Sequence, residues 1–399
     1  MSDFHFSKRF QDIELGEEEN ELSKIKNEKL EKNITVLNLI ETNPTLTGLE
    51  FPNHIYSHNF NHPSITKYEP NPKGLITARS SISEYYAHLK IKIDSESLIL
   101  TSSTSEAFSY VLKLLTNPDD EILIPSPGYP LFSYLALFEN VRTIEYPLVE
   151  TVEGSWEYSL EKIKSLVSTK TKLIIIVSPS NPTGSMISQD EWEKILEWSY
   201  QSNIPLLIDE VFSPYIYDSN EIHLAYPTSN TAPVFVLNGI SKFLALPQMK
   251  LGWIHVQGKE KFVKEALSGL ELISDTYLSV NTPIQIILPE LLKWTSMIQG
   301  QIKKRIQRNL NYGKELFLQN KTIVWRNGKG GWYAWIELLE PKYDSSYSLA
   351  KSLLSNHDIF VHPGEWYGFS EKRNIILLSL IVSEDQFFAG LNVLMSLLK

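Results

Sequence analysis

Residues 236–253 read VLNGISKFLALPQMKLGW, and the rest of the chain is best read outward from them. The apolar run 234–237 has the character of a buried strand. It breaks at Asn238-Gly239 and presents Ser241-Lys242. A second cation, Lys250, follows eight residues on, just before Gly252. An amine at the end of a buried strand is costly to place. Desolvation favours its neutral form, and a neutral amine is a nucleophile towards carbonyls. On this stretch alone an ordinary surface lysine at a strand end is an equally good reading, so the flanking chain must decide.

Outward from this stretch the chain alternates. Apolar strands are expected at 121–124, 141–146, 173–177, 205–208, 234–237 and 251–256, and helices at 129–138, 160–167 and 189–201. Strands that read as nearly continuous apolar runs between amphipathic helices predict an α/β fold with a mainly parallel sheet covered on both faces. Further upstream, 17–32 reads as a charged helical arm, 36–40 as a short strand ending in a turn at Asn43-Pro44, and 75–89 as a helix.

Composition bounds the function classes. The chain has 399 residues, 42% hydrophobic and 21% charged, with a net charge of −10 and no cysteine. That length suffices for one large core and a smaller one. The acidic balance argues against a nucleic-acid partner. Thiolate zinc sites, disulfides and cysteine nucleophiles are excluded. No segment approaches the roughly 20 apolar residues of a membrane span, and the N-terminus lacks a signal-peptide core. The expectation is a soluble, cytoplasmic protein without a membrane role. His54, His58 and His62 recur every fourth residue, but the interleaved prolines and asparagines argue against a helix, so no metal site is expected.

Sites in such sheets lie beyond the carboxyl ends of the strands. The residues there form a consistent set. Tyr129 offers a ring that can stack on a planar ligand. Asn181, in SPSNPTG, offers an amide. Asp209 ends the strand LLID, where a carboxylate is expensive unless paired, and a pyridinium nitrogen would pair it. Lys242 supplies the amine. Upstream, Thr101-Ser102-Ser103-Thr104-Ser105 places hydroxyls at a helix start, where free N–H groups favour an anion; N-capping alone needs only one of them. An aromatic face, an amide, a buried acid, a lysine and an anion turn together describe a pocket for pyridoxal 5'-phosphate.

The chain resembles fold-type I pyridoxal-phosphate enzymes of the class I/II aminotransferase family. The matching elements are Tyr68 before a glycine-containing turn, TSSTSEAF, PSPGYPLF, SPSNPTG, IDEVF, and SK followed by a cation and LGW, in the family's order from about Thr42 to Gly364. The resemblance implies a seven-stranded-type sheet in a large domain at 52–285, with a smaller α+β domain from both termini, 1–51 and 286–399. It implies Lys242 as the Schiff-base lysine and proton shuttle, and Asp209 as partner of the pyridine nitrogen. Asn181 is implied at the phenolic oxygen and Tyr129 on the ring. Ser103, Thr104, Ser105, Ser241 and Lys250 are implied at the phosphate. Tyr68 is implied to reach the neighbouring subunit's cofactor, hence a homodimer with shared active sites. The partners implied are a small-molecule amino donor and a keto acceptor.

Four positions depart from the family pattern. Lys250 stands where arginine is usual, keeping charge without the bidentate fork. Phe212 stands where a tyrosine hydroxyl is usual, which is expected to raise the Schiff-base pKa; Tyr215 and Tyr217 are the candidates to fold back. Leu377 stands where an arginine binds the substrate's α-carboxylate. Arg373, four residues earlier, lies more than roughly 10 Å away along a strand. Thr42 stands where a substrate-contacting glycine is common. Asn181 and Thr42 are the substrate-side candidates. Trp332, Tyr333 and Trp335 are read as strand packing, with a substrate-facing Tyr333 as the alternative, and 365–367 as a structural loop, with lining of the substrate mouth as the alternative. The function expected is transamination; β-elimination, decarboxylation or racemisation on the same scaffold is the alternative, since the recognition residues are the altered ones.

Overall fold

The computed structural model describes residues 7–11, 17–52, 62–152, 154–217, 232–278, 280–340 and 342–398. Its centre is a seven-stranded sheet. In chain order the strands are β2 (Leu98–Thr101), β3 (Glu121–Ser126), β4 (Arg142–Pro147), β7 (Thr171–Val177), β8 (Leu206–Asp209), β9 (Val234–Gly239) and β10 (Gly252–Gln257), with the short hairpin β5 (Val149–Glu150) and β6 (Trp156–Glu157) outside the sheet. The spatial order is β2-β10-β9-β8-β7-β3-β4. β4, β3, β7, β8 and β9 run parallel to one another, and β10 runs antiparallel to both β9 and β2.

The apolar runs demand this double-sided cover. Along β7, Leu173, Ile175 and Val177 pack with Phe108 and Val111 of the helix Thr104–Leu115, while Ile174 and Ile176 pack on the other face with Trp192 and Ile195 of the helix Gln189–Ser202. All five β7 residues are buried, each contributing about 1.5–3 kcal/mol. The second helix is bounded as its sequence suggests: Ser188 Oγ accepts from the Glu191 N–H, and Asn203 closes it in the left-handed region.

A second sheet, of order β11-β12-β15-β14, holds the C-terminal third. Its strands are β11 (Ile323–Asn327), β12 (Tyr333–Leu338), β14 (His362–Pro363) and β15 (Asn374–Ser379). All its pairings are antiparallel. β1 (Leu37–Asn38) pairs parallel with β13 (Ile359–Phe360), tying the N-terminal segment to this region. The register sets Leu377 opposite Trp335 on one side and His362 on the other. Paired residues share a face, so these three side chains project together.

Boundaries shift where local chemistry overrides periodicity. The helix expected from 129 starts at Leu131, after Pro130, and the one expected over 160–167 is Leu160–Lys164. The strand expected over 36–40 is two residues long because Ile40 turns in, its N–H on Asn38 Oδ1. His54 and His58 lie outside the described residues. His62 Nδ1 accepts from the Ser64 N–H as a cap. No described helix is long and apolar enough to cross a membrane.

Candidate active site

The ends of β7, β8 and β9 converge, and Asp209 and Lys242 face each other there. Asp209 is the last residue of β8, in register with Val177 and Leu237. Burial pushes its carboxyl up to about 6; a hydrogen bond from the Val211 N–H (3.1 Å) and the charge of Lys242 oppose that rise. Burial likewise brings the Lys242 ammonium down to about 8, opposed by Asp209. The amine lies 4.9 Å from the Trp332 ring centroid and 5.9 Å from that of Phe212. A lysine so enclosed is partly neutral near physiological pH, as a nucleophilic amine requires.

Close backbone approach brings the ends of β9 and β10 to the helix start at 103–105. Gly239 leads into the turn Ile240–Phe243 that carries Ser241 and Lys242, and a Cβ there would lie 2.9 Å from the Leu251 carbonyl oxygen. At Gly252 a Cβ would lie 3.0 Å from the Thr104 nitrogen. Only glycine at both positions lets the paired ends of β9 and β10 lie this close to the turn at Ser103-Thr104. Ser103 is the N-cap, its Oγ accepting from the Glu106 N–H (3.1 Å), while Glu106 Oε2 accepts from the Ser102 N–H (2.6 Å). The N–H groups of Thr104 and Ser105 begin the helix and have no intrahelical acceptor. Lys250, in the left-handed region at φ 53°, is exposed and makes no ion pair among the described residues.

Asn181 is buried, and its Oδ1 has no hydrogen-bond partner. The Tyr333 hydroxyl faces both Asn181 and Thr42; burial raises its pKa, and those two side chains oppose the rise. Tyr129 is 38% exposed, its ring edge-on to Phe132 at 5.7 Å, and its hydroxyl feels the charge of Asp209. Tyr68 stands apart at 77% exposure. Phe212 is buried, its ring 5.4 Å from Trp332 and 6.2 Å from Tyr333. Tyr215 Oη donates to the Lys242 carbonyl (2.7 Å) and Tyr217 Oη to the Gly331 carbonyl (3.1 Å), so neither folds back to supply the hydroxyl that Phe212 lacks.

Four aromatic residues from beyond the strand ends also stand here, Trp332, Tyr333, Trp366 and Tyr367, the last three in keeping with the substrate-side alternatives to strand packing and a plain loop. Trp332 and Tyr333 come from the approach to and start of β12. Tyr367 lies 6.4 Å from Tyr333, ring to ring, and its hydroxyl is 2.9 Å from His362 Nδ1. With Tyr129, Glu365 and Trp366, Tyr367 also lines a cavity of about 270 Å³. The glycine pair before Trp332 was the available signal, since it marks a turn that brings β12 back to the sheet edge.

Arg373 does not reach this corner. It grips Glu337 (2.6 and 2.7 Å) and Glu150 (2.8 and 3.1 Å), joining β12 to β5.

A pyridine ring with an aldehyde, a phenolic oxygen and a phosphate fits these residues. There is an amine beside a desolvated acid, a buried amide whose N–H groups can donate to a phenolic oxygen, and a helix start with open N–H groups.

The family model for aminotransferase class I and II matches residues 34–376. The chain is 26% identical over 351 residues to a glutamate-pyruvate aminotransferase AlaA of Haemophilus influenzae, covering 86% of each chain. It is 30% identical over 223 residues to mouse tyrosine aminotransferase, covering 56% of this chain and 49% of that one. The solved alanine aminotransferase of Pyrococcus furiosus superposes with a TM-score of 0.87 at 21% identity, covering 98% of this chain and all of that one. The converging strand ends and the match along most of the sequence lead to one conclusion: the chain belongs to the class I and II aminotransferase family and is a pyridoxal-phosphate-dependent transaminase.

Proposed function

We propose that Lys242 is the residue that holds pyridoxal phosphate in this enzyme and moves the proton at the substrate's α-carbon. The observation that carries this is the pairing of a desolvated amine with a desolvated carboxylate at the ends of adjacent strands. The cofactor supplies an aldehyde that accepts the amino group and a ring that withdraws electrons. Asp209 holds a proton on the ring nitrogen; its own charge is uncomfortable until a cation pairs it. Asn181 donates to the phenolic oxygen, and Tyr129 covers one ring face. Ser103, Thr104, Ser105, Ser241 and Lys250 bind the phosphate.

In this reading residues 52–285 form the cofactor-binding domain, and 1–51 with 286–399 the smaller one. The exposed Tyr68 serves the site of a second copy, making a homodimer with shared active sites. The amino group moves between an amino acid or amine and a keto acceptor, in the cytoplasm.

The visible spectrum of the purified protein tests this. The expected result is a yellow band that disappears in Lys242→Ala and is bleached by an amino donor. Half-reaction rates in that variant should fall by about 10³-fold or more. A band that persists in Lys242→Ala would reassign the lysine.

A further inference from the structure

Among the described residues, no lysine or arginine acts on the Tyr333 hydroxyl that faces Asn181 and Thr42. Leu377, where the family pattern has the carboxylate-binding arginine, is fully buried in the apolar core. The four arginines at 286–399 are all engaged elsewhere. Arg373 holds Glu337 and Glu150, Arg326 lies 3.9 Å from Glu337, and Arg308 holds Glu384. Arg305 donates to the carbonyls of Thr47 and Ile381. Lys26 lies 4.4 Å over the Phe360 ring, and its charge acts on His362, the strand partner of Leu377.

In place of a guanidinium the corner holds three neutral groups: the Tyr333 hydroxyl, whose residue shares a sheet face with Leu377, and the Thr42 hydroxyl and Asn181 amide that it faces. Their chemistry differs from that of an arginine. A guanidinium only donates, which suits a carboxylate. These groups both donate and accept, and Asn181 Oδ1 is buried without a donor. A carboxylate has no proton to offer that oxygen, and its charge would be desolvated without a counter-ion. A hydroxyl or carboxamide satisfies the trio in both directions.

We propose that the substrate this corner is built for carries an uncharged hydrogen-bonding group, an alcohol or amide, on the carbon bearing its amine, held by Thr42, Asn181 and Tyr333. This rests on the reading that Lys242 holds the cofactor, and it deepens that reading by naming the substrate class.

The test uses the cofactor-loaded enzyme and matched ligand sets: an amino acid, its amino alcohol and its amino amide, for alanine, leucine, phenylalanine and glutamate side chains. The dissociation constant is read from the change in the visible band on titration. In at least one set the neutral members should bind about tenfold or more tighter than the carboxylate. Tyr333→Phe should weaken the neutral member by about tenfold while keeping the band, and Leu377→Arg should shift preference to the carboxylate. The proposal is overturned if the carboxylate binds as well as or better than its neutral counterparts in every set, or if no neutral member perturbs the band. It is also overturned if Tyr333→Phe leaves neutral-ligand affinity unchanged, a readout that holds even where Leu377→Arg fails to fold. Absence of the band itself would strike the cofactor reading, a separate failure.

Discussion

The two sides of the site are built by different rules. On the proposed cofactor side, the residues follow β3, β7, β8 and β9, precede β10 or lie in the turn at 103–105, and at the turn glycines leave no room for a side chain. On the substrate side, Thr42, Tyr333 and Leu377 come from an N-terminal loop and the four-stranded sheet, and they meet the first set only through tertiary packing. The first side keeps two ionisable groups in an unfavourable environment. The second, in the reading proposed above, offers hydroxyls, rings and a leucine where the first offers charge. Chemistry fixes the electrostatics of the cofactor side, whereas recognition can be rebuilt without disturbing it.

The electrostatic half of this contrast can be broken by pH. Asp209 is raised from 3.8 to about 6 by burial, so between about pH 4 and 6 the empty folded protein keeps a proton that the unfolded chain has released. Stability therefore falls as pH rises through that window, by up to about 3 kcal/mol. Lys242 has the opposite window: lowered from 10.5 to about 8, it leaves stability increasing as pH rises above about 8. In the cofactor-free protein, the stability of wild type relative to Asp209→Asn, from urea unfolding at about pH 4 and pH 7, should drop by that order. A difference that stays flat would mean that Asp209 is not desolvated.

Much of the cofactor side is legible in the sequence because its residues follow strands whose apolar runs are unmistakable: Asp209 closes LLID, and Lys242 follows the run at 234–237. Likewise the serine- and threonine-rich start of the helix Thr104–Leu115 announces an anion turn. The parallel order of the sheet follows from the same pattern. The substrate side is less legible. Trp332 and Tyr333 look like strand packing, which they also are, and only folding sets them beside Phe212 and Asn181, some 120 and 150 residues away in the chain. Arg373 could be ruled out as a replacement by spacing along the strand, but its partners could not be foreseen, because Glu150 comes from β5.

That arginine offers the next test of the comparison. Arg373 joins the two sheet regions through two carboxylates, Glu337 with its side chain 8% exposed and Glu150 with 30%. Arg373→Ala leaves Glu337 buried with only the more distant Arg326, so thermal and urea unfolding should show a loss of about 2 kcal/mol. Ligand affinity in the matched sets should move little. A selective loss of carboxylate binding in Arg373→Ala would instead make it the missing anchor.

Phe212→Tyr probes the boundary between the two sides. The ring is buried against Trp332 and Tyr333, and no neighbouring tyrosine hydroxyl is spare on its own side, since Tyr215 and Tyr217 bond to backbone carbonyls. With the cofactor held as proposed, a hydroxyl here would donate to the phenolic oxygen and stabilise its anion. The pKa of the yellow chromophore should fall by about one unit in a spectrophotometric titration. A cost in stability of about 1 kcal/mol is expected if the hydroxyl instead stays unpartnered, and an unchanged pKa would show that it had.

The smallest effect expected is at Lys250. Its left-handed backbone conformation, at φ 53°, places an exposed side chain beside the turn that carries Ser241 and Lys242. Lysine delivers a point charge to a phosphate, and arginine adds a planar fork that can bind two oxygens at once. Because the open N–H groups of Thr104 and Ser105 and the serine hydroxyls remain, the charge is one contribution among several. Lys250→Arg should therefore tighten cofactor binding only about two- to fivefold, read from the rate at which the apo-enzyme recaptures pyridoxal phosphate after dilution. Lys250→Ala should weaken it more, and with a clear dependence on salt, since an exposed charge is screened. If neither variant moves the affinity, the phosphate is held by the helix start and hydroxyls alone, and the cofactor side has given up its cation as the substrate side has.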